Sequence, residues 1–195
     1  MAREVTGREL LGAALEVFVE KGYHATTISD IVRAAGVTQG TFYLYFKNKA
    51  DIFSALLEEY RTLIISGLFD VDVASVKTRD DWLRLSDRIA GFLLDHIKTH
   101  GEFMRLFIAE TTTIGSCFVD EANAFSSGIM REICRLIEHG ICLNLLRDID
   151  VEAVALSAFG ALKEVVRQSC FDEGTASAEA LIPRVIRSQA ELLLK

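Results

Sequence analysis

Apolar residues recur along most of this chain at the three-and-four spacing of an α-helix. Thr6-Gly7-Arg8-Glu9 has the spacing of a capping box, in which the Thr oxygen accepts an orphan amide and the Glu reaches back. Leu10, Leu11, Ala14, Leu15, Phe18 and Val19 follow on one face until Gly22. Thr27-Ile28-Ser29-Asp30 opens a second helix carrying Ile31, Val32 and Ala35, with Gly36 as its stop. A short third helix spans about Thr38 to Phe46. Asn48-Lys49-Ala50-Asp51 caps a fourth, with Ile52, Phe53, Leu56, Leu57, Tyr60, Leu63 and Ile64 on one face. Residues 69–78 read as a loop, or as a short strand through Val71, Val73 and Val76.

Beyond this loop the pattern predicts a helix over 80–99 with Trp82, Leu85, Ile89, Phe92, Leu93, His96 and Ile97, broken at Gly101. Further helices are expected over 102–112, over 116–139 with Gly140 as the stop, and from the cap Asp150 to Phe171. Glu152 sits in the first turn of this last one, where acid suits the helix dipole. The final helix covers 178–194, and Pro183 starts or kinks it. The expected fold is all-α, with about nine helices.

Two short helices joined at a glycine form a helix-turn-helix pattern: Ile28–Ala35, the turn Gly36-Val37, then Thr38–Phe46. Gly36 takes the left-handed conformation of such a turn at little cost. Ile28, Ile31, Val32, Ala35, Val37, Phe42 and Phe46 are its expected core. Gln39, Gly40, Thr41, Tyr43, Leu44 and Tyr45 remain on an outward face without charge. An amide, hydroxyls and an apolar Leu suit base edges, and Gly40 lets the backbone come close. Thr27, Lys47 and Lys49 flank this face, placed for phosphates.

The chain has 195 residues, half of them hydrophobic, and a formal charge of −7. An acidic chain argues against nucleic acid. The charge is unevenly placed, however. Residues 1–50 hold six Lys/Arg and five Asp/Glu, a sum of +1; residues 51–195 hold fifteen and 23, a sum of −8. A single proline argues against a fold of many short strands and turns. No run is apolar enough to span a bilayer, and MAREVTGREL lacks a signal-peptide core, so a cytoplasmic protein without membrane contact is expected. Cys117, Cys134, Cys142 and Cys170 form no C-x-x-C pair and are expected to be reduced and mostly buried.

The run Val37-Thr38-Gln39-Gly40-Thr41-Phe42-Tyr43-Leu44-Tyr45-Phe46-Lys47-Asn48-Lys49 closely resembles the signature of the tetracycline-repressor (TetR) family. Thr26-Thr27-Ile28 and Ala34-Ala35-Gly36 precede it, and the likeness covers about residues 6–53. Leu146-Arg147-Asp148-Ile149-Asp150 is similar to the family's lead-in to its eighth helix. The resemblance implies a homodimer with a DNA-binding domain over 1–48 and a ligand-binding, dimerising domain over 49–195. It implies a transcriptional repressor, not an enzyme and without a cofactor, that binds a palindromic double-stranded operator and is released by a small effector. By the same likeness Thr38, Gln39, Gly40, Thr41, Tyr43, Leu44 and Tyr45 face the major groove, while Thr27, Lys47 and Lys49 hold phosphates. Leu44 and Gln39 are less typical of the family, which bears on the bases read.

The last two helices are apolar over a wide arc. Val154, Ala155, Ala158, Ala161, Leu162, Val165 and Val166 form one set, and Leu181, Ile182, Val185, Ile186, Leu192 and Leu193 the other. A homodimer through these helices is expected, its two-fold symmetry matching a palindrome. Phe92, His96, Phe103, Phe107, Thr111, Phe118, Phe125, Ile129 and Phe159 are candidate walls of a ligand cavity for an apolar or aromatic effector such as an acyl chain. His96 and His100 have metal-pair spacing, but no nearby ligand completes the set. Catalytic signatures such as G-x-S-x-G, HExxH or a phosphate loop are absent from the sequence. The competing reading is an all-α ligand carrier or enzyme that uses the same cavity without binding DNA.

Overall fold

Three capping boxes and a set of side-chain caps decide where the helices begin. The computed structural model describes residues 6–112, 118–171 and 178–195. Among these it contains eight α-helices: α1 (Gly7–Lys21), α2 (Ile28–Ala35), α3 (Gln39–Tyr45), α4 (Lys49–Phe69), α5 (Arg79–Thr112), α6 (Val119–Cys142), α7 (Val151–Phe171) and α8 (Ala178–Leu193). The capping boxes at Thr6/Glu9 and Thr27/Asp30 are both complete. A third, not anticipated, joins Thr78 and Asp81, whose carboxylate accepts from the Thr78 amide at 2.9 Å and its hydroxyl at 2.7 Å. Asp150 caps α7 as expected, accepting from the Ala153 amide at 3.0 Å.

Four expectations need correction. The break at Gly101 is instead a kink one residue earlier, at His100 (φ −128°, ψ 18°), so two expected helices form one bent α5. The possible strand before it is a 3-10 turn over Val73–Ser75, started by the Asp72 carboxylate on the Ala74 amide. Gly140 does not stop α6, which runs on to Cys142. The left-handed residue is Asn144 (φ 59°), and Gly140 instead makes room for Leu146. Leu63 lies off the buried face of α4 and is exposed.

The chain divides into two compact units, Met1–Thr62 with Glu102–Ala122, and Leu63–Gly101 with Asn123–Lys195. This grouping differs from a cut at residue 48, and aromatic packing explains why. In the first unit Phe53 meets Phe18, Tyr23 and Phe118 with ring centroids 5.0, 4.7 and 4.7 Å apart. Tyr60 meets Phe103 and Phe107 at 4.9 and 5.1 Å. Phe103, Phe107 and Phe118 thus share a core with α1 and the first half of α4. In the second unit α7 packs on α8. The Trp82 indole donates to the Ala190 carbonyl at 3.1 Å. The 146–150 segment is tied to the chain end: the Arg147 amide donates to the Leu193 carbonyl at 3.0 Å, and Leu146 and Leu194 form an isolated antiparallel bridge. Among the described residues no helix is long and apolar enough to cross a membrane.

Candidate nucleic-acid interface and effector cavity

The candidate reading face is built by three short helices of the first unit. Gly36 closes α2 in the left-handed region (φ 67°, ψ 32°), and Thr38 caps α3 through the Thr41 amide. Ile31, Val32 and Phe42 form the buried seam; Ile28, Ala35, Val37 and Phe46 are half-buried around it. Phe42 and Phe46 touch with centroids 5.9 Å apart, the i,i+4 contact that fixes which side of α3 faces inward. The opposite side is open: Tyr43 is 55% exposed, Leu44 81% and Tyr45 45%. Thr38, Gln39 and Gly40 are exposed beside them, with Thr41 half-buried. The Tyr45 ring lies beside α1, 3.1 Å from where a side chain on Gly7 would begin.

Hydrogen bonds already commit part of this face. Gln39 donates through Nε2 to the Ser29 hydroxyl of α2 at 3.0 Å. Ser29 was not among the expected site residues; its place in the first turn of α2, facing the start of α3, emerges only from the folded turn. Thr27 donates its hydroxyl to Asp30 at 2.7 Å. The Lys21 ammonium (2.9 Å) and Thr27 hold the Asp30 carboxyl well below the usual carboxylate range. Lys47 is exposed on the rim. Lys49 differs: its ammonium donates to the carbonyls of Tyr23, His24 and Thr26 at 2.7, 3.2 and 2.8 Å. It also stands 4.4 Å over the Tyr23 ring.

A separate cavity of about 120 Å³ lies within the second unit. Its walls include Leu68 and Phe69 of α4, Trp82 and Ile89 of α5, Leu136 of α6, Leu162 of α7, and Val185 and Gln189 of α8. None of the nine expected wall residues lines it. Phe103, Phe107, Thr111 and Phe118 belong to the first unit, where they are core. Thr111 is satisfied by the Phe107 carbonyl at 2.6 Å. Phe92, His96, Phe125, Ile129 and Phe159 belong to the second unit. Phe92 lies where a Gly67 side chain would be, 2.1 Å from the position of its Cβ. Part of this cavity's lining falls on the apolar arcs of the last two helices. Ala158, Leu162, Val185, Ile186 and Leu193, members of the apolar sets from which the dimer is expected, line it.

The cavity's polar groups are few. Ser86 donates to the Leu83 carbonyl at 2.7 Å and Trp82 to Ala190, so both donors are engaged. Gln189 keeps an amide without a protein partner among the described residues. Elsewhere in this unit, His96 is buried, stacked on Phe92 at 5.6 Å and 4.7 Å from the His100 ring. Burial first, and the His100 charge second, lower it to about 4. Among the described residues no group of three His, Cys, Asp or Glu could hold a metal. Of the described cysteines Cys170 is buried, Cys134 half-buried and Cys142 exposed, against the expectation of mostly buried thiols; Cys117 lies outside the described residues. Burial raises the Cys134 thiol, the wrong direction for a reactive thiolate.

Residues 10–56 match the family model of bacterial regulatory proteins, tetR family. The fatty acid metabolism regulator protein of Bacillus subtilis is 51% identical over 51 residues, 26% of this chain and 26% of that one. The chain spans about a quarter to a third of the length of the curated relatives that align with this N-terminal region. Similar folds extend over nearly all of it. SmeT, the repressor of the Stenotrophomonas maltophilia multidrug efflux pump SmeDEF, superposes with a TM-score of 0.81 at 18% identity, covering 98% of this chain and 92% of that one. The Bacillus subtilis transcriptional regulator FadR in complex with stearoyl-CoA superposes with a TM-score of 0.74 at 24% identity, covering 95% and 98%.

Proposed function

We propose, from the match of residues 10–56 to the model of bacterial regulatory proteins of the tetR family, that this chain is a ligand-responsive repressor of that family. Its α3 enters the major groove of a palindromic operator, and an apolar effector bound in the second unit releases it. The observation that carries the reading is the uncharged, exposed row Tyr43, Leu44 and Tyr45, held on a helix too short to be stable except against its own turn. Thr38, Gln39, Gly40 and Thr41 complete the base-reading set, with Thr27 and Lys47 toward the phosphates. A row of this kind facing water is otherwise unfavourable.

Leu156 and Leu192 support the dimer. They are 62% and 67% exposed on α7 and α8, the arc a second copy would cover. A dimer sets two reading helices about 34–36 Å apart, one turn of DNA. The cavity supports the effector. At about 120 Å³ it is smaller than the roughly 300 Å³ of an ordinary ligand site. A long ligand, such as the acyl chain carried by the stearoyl-CoA bound to the FadR neighbour, must therefore part the walls as it enters. A ligand that binds the parted form more tightly shifts the population toward it, and release follows if that form holds DNA poorly.

Gel shift with the DNA flanking its own gene tests the reading, with acyl thioesters and aromatic acids added in turn. Wild type shifts a discrete band, Tyr43→Ala weakens it by about 1–3 kcal/mol, and Ala158→Phe binds DNA but no longer responds to effector. Ligand binding with no DNA affinity at any salt would make the protein a carrier or an enzyme instead. Sedimentation as a monomer at micromolar concentration would overturn the dimer.

A further inference from the structure

We propose that Lys49 is a positioning residue and not a phosphate contact: its half-buried ammonium latches the first turn of α4 onto the α1–α2 loop and so fixes where the reading helices stand. The proposal rests on the operator-binding reading above. An ammonium has three N–H groups, and here three carbonyls take them, at 2.7, 3.2 and 2.8 Å. These carbonyls belong to Tyr23, His24 and Thr26 in the loop between α1 and α2, outside the hydrogen-bond ladder of either helix, and a cation is the donor that satisfies three such acceptors at once. The Tyr23 ring closes the remaining side at 4.4 Å. Turning Lys49 toward a phosphate would strip all four contacts and leave the carbonyls facing a vacated site.

The latch acts on the face that reads DNA. Thr26 is buried and donates its hydroxyl to the Gly22 carbonyl at 2.7 Å, so the loop is held from both directions. The next residue, Thr27, is the N-cap of α2. Any shift of the loop moves that cap, then α2, the Gly36 turn and α3. Lys49 is the first residue of α4, so the same bonds set the angle between α4 and the reading pair. Lys47, two residues away and exposed, remains as the true phosphate cation of this segment.

Salt dependence separates the two roles, because each neutralised phosphate contributes close to one to the slope of log K against log salt. Operator affinity of wild type, Lys47→Met, Lys49→Met and Lys49→Arg is measured by fluorescence anisotropy across a salt series, at a temperature where circular dichroism shows every variant folded. Lys47→Met is expected to lower the slope by about one. Lys49→Met is expected to bind about ten-fold more weakly at every salt with the wild-type slope, and Lys49→Arg to recover part of the loss. A slope lowered by one in Lys49→Met makes it a phosphate contact and overturns the proposal. Unchanged affinity of folded Lys49→Met reduces the latch to a stabilising contact and overturns it too. Amide hydrogen exchange of the free protein reads the latch without DNA: faster exchange over residues 22–27 in Lys49→Met is expected, and unaltered exchange refutes it. Wild type that binds no operator at any salt sinks the operator reading, while the exchange measurement still decides the latch.

Discussion

Gly40 sits in the middle of the exposed row on α3, and a methyl there would meet nothing closer than the Thr38 hydroxyl at 3.6 Å. The free protein therefore gives no packing reason for glycine, and a glycine inside a helix costs about 0.5–1 kcal/mol relative to alanine. Gly40→Ala is expected to raise the thermal midpoint or leave it unchanged while weakening operator affinity. Paired melting and anisotropy measurements check this. Equal affinity would show that the DNA backbone does not approach at Gly40. The same scale explains why hydrogen-bond commitments escape the sequence. Thr27, Gln39 and Lys49 were expected to face DNA because their side chains can do so. What each bonds in the free protein depends on neighbours 3, 10 and 23–26 residues away.

Glycines divide into two kinds at the scale of the helix. Gly12 in α1 has no atom within 4 Å of a would-be Cβ, whereas Gly140 in α6 would place one 2.6 Å from Leu146 Cδ1 and Cγ. Leu146 is fully buried and anchored by the bridge to Leu194, so it has nowhere to retreat. Gly12→Ala is expected to stabilise by about 0.5–1 kcal/mol, and Gly140→Ala to destabilise by about 1–3 kcal/mol. Urea midpoints of the two variants decide it; a stabilised Gly140→Ala would mean that Leu146 repacks freely. Both glycines lie in helical patterns, and only one near the end of its run. Reading Gly140 as a stop followed from that position. Its actual role, admitting a leucine from the next segment, has no local signature.

For the whole molecule, acid stability provides a test through His96. Its folded value of about 4 lies below the ordinary 6.5. The unfolded chain takes up a proton as pH falls through about 6.5, and the folded chain only near 4. The contribution of His96 is thus fully present above about 6.5 and lost as pH falls from there toward 4. Denaturation midpoints at pH 7.5, 5.5 and 4.5 are expected to fall more steeply in wild type than in His96→Phe. Parallel profiles would show that this imidazole does not charge on unfolding. Asp81 and Glu164, held low by Thr78 and Arg84 and by Arg167 and Gln168, lose their contributions only in more acid solution. The comparison of the two proteins therefore isolates the histidine.

The helical character of the chain, the turn at Gly36, the seam at Ile31, Val32 and Phe42, and the open row from Tyr43 to Tyr45 were determined by the sequence alone. Each rests on interactions within four residues or on the 3.6-residue period, and these need no knowledge of distant partners. The tertiary structure alone decided that Phe103, Phe107 and Phe118 join the core of Tyr23, Phe53 and Tyr60, that residues of α4 to α8 wall a cavity, and that the Lys49 ammonium turns to the α1–α2 loop. All three depend on where helix axes pass one another. Apolar periodicity says that a face is covered but not by what, and a charged side chain follows whichever carbonyls the backbone leaves unpaired beside it.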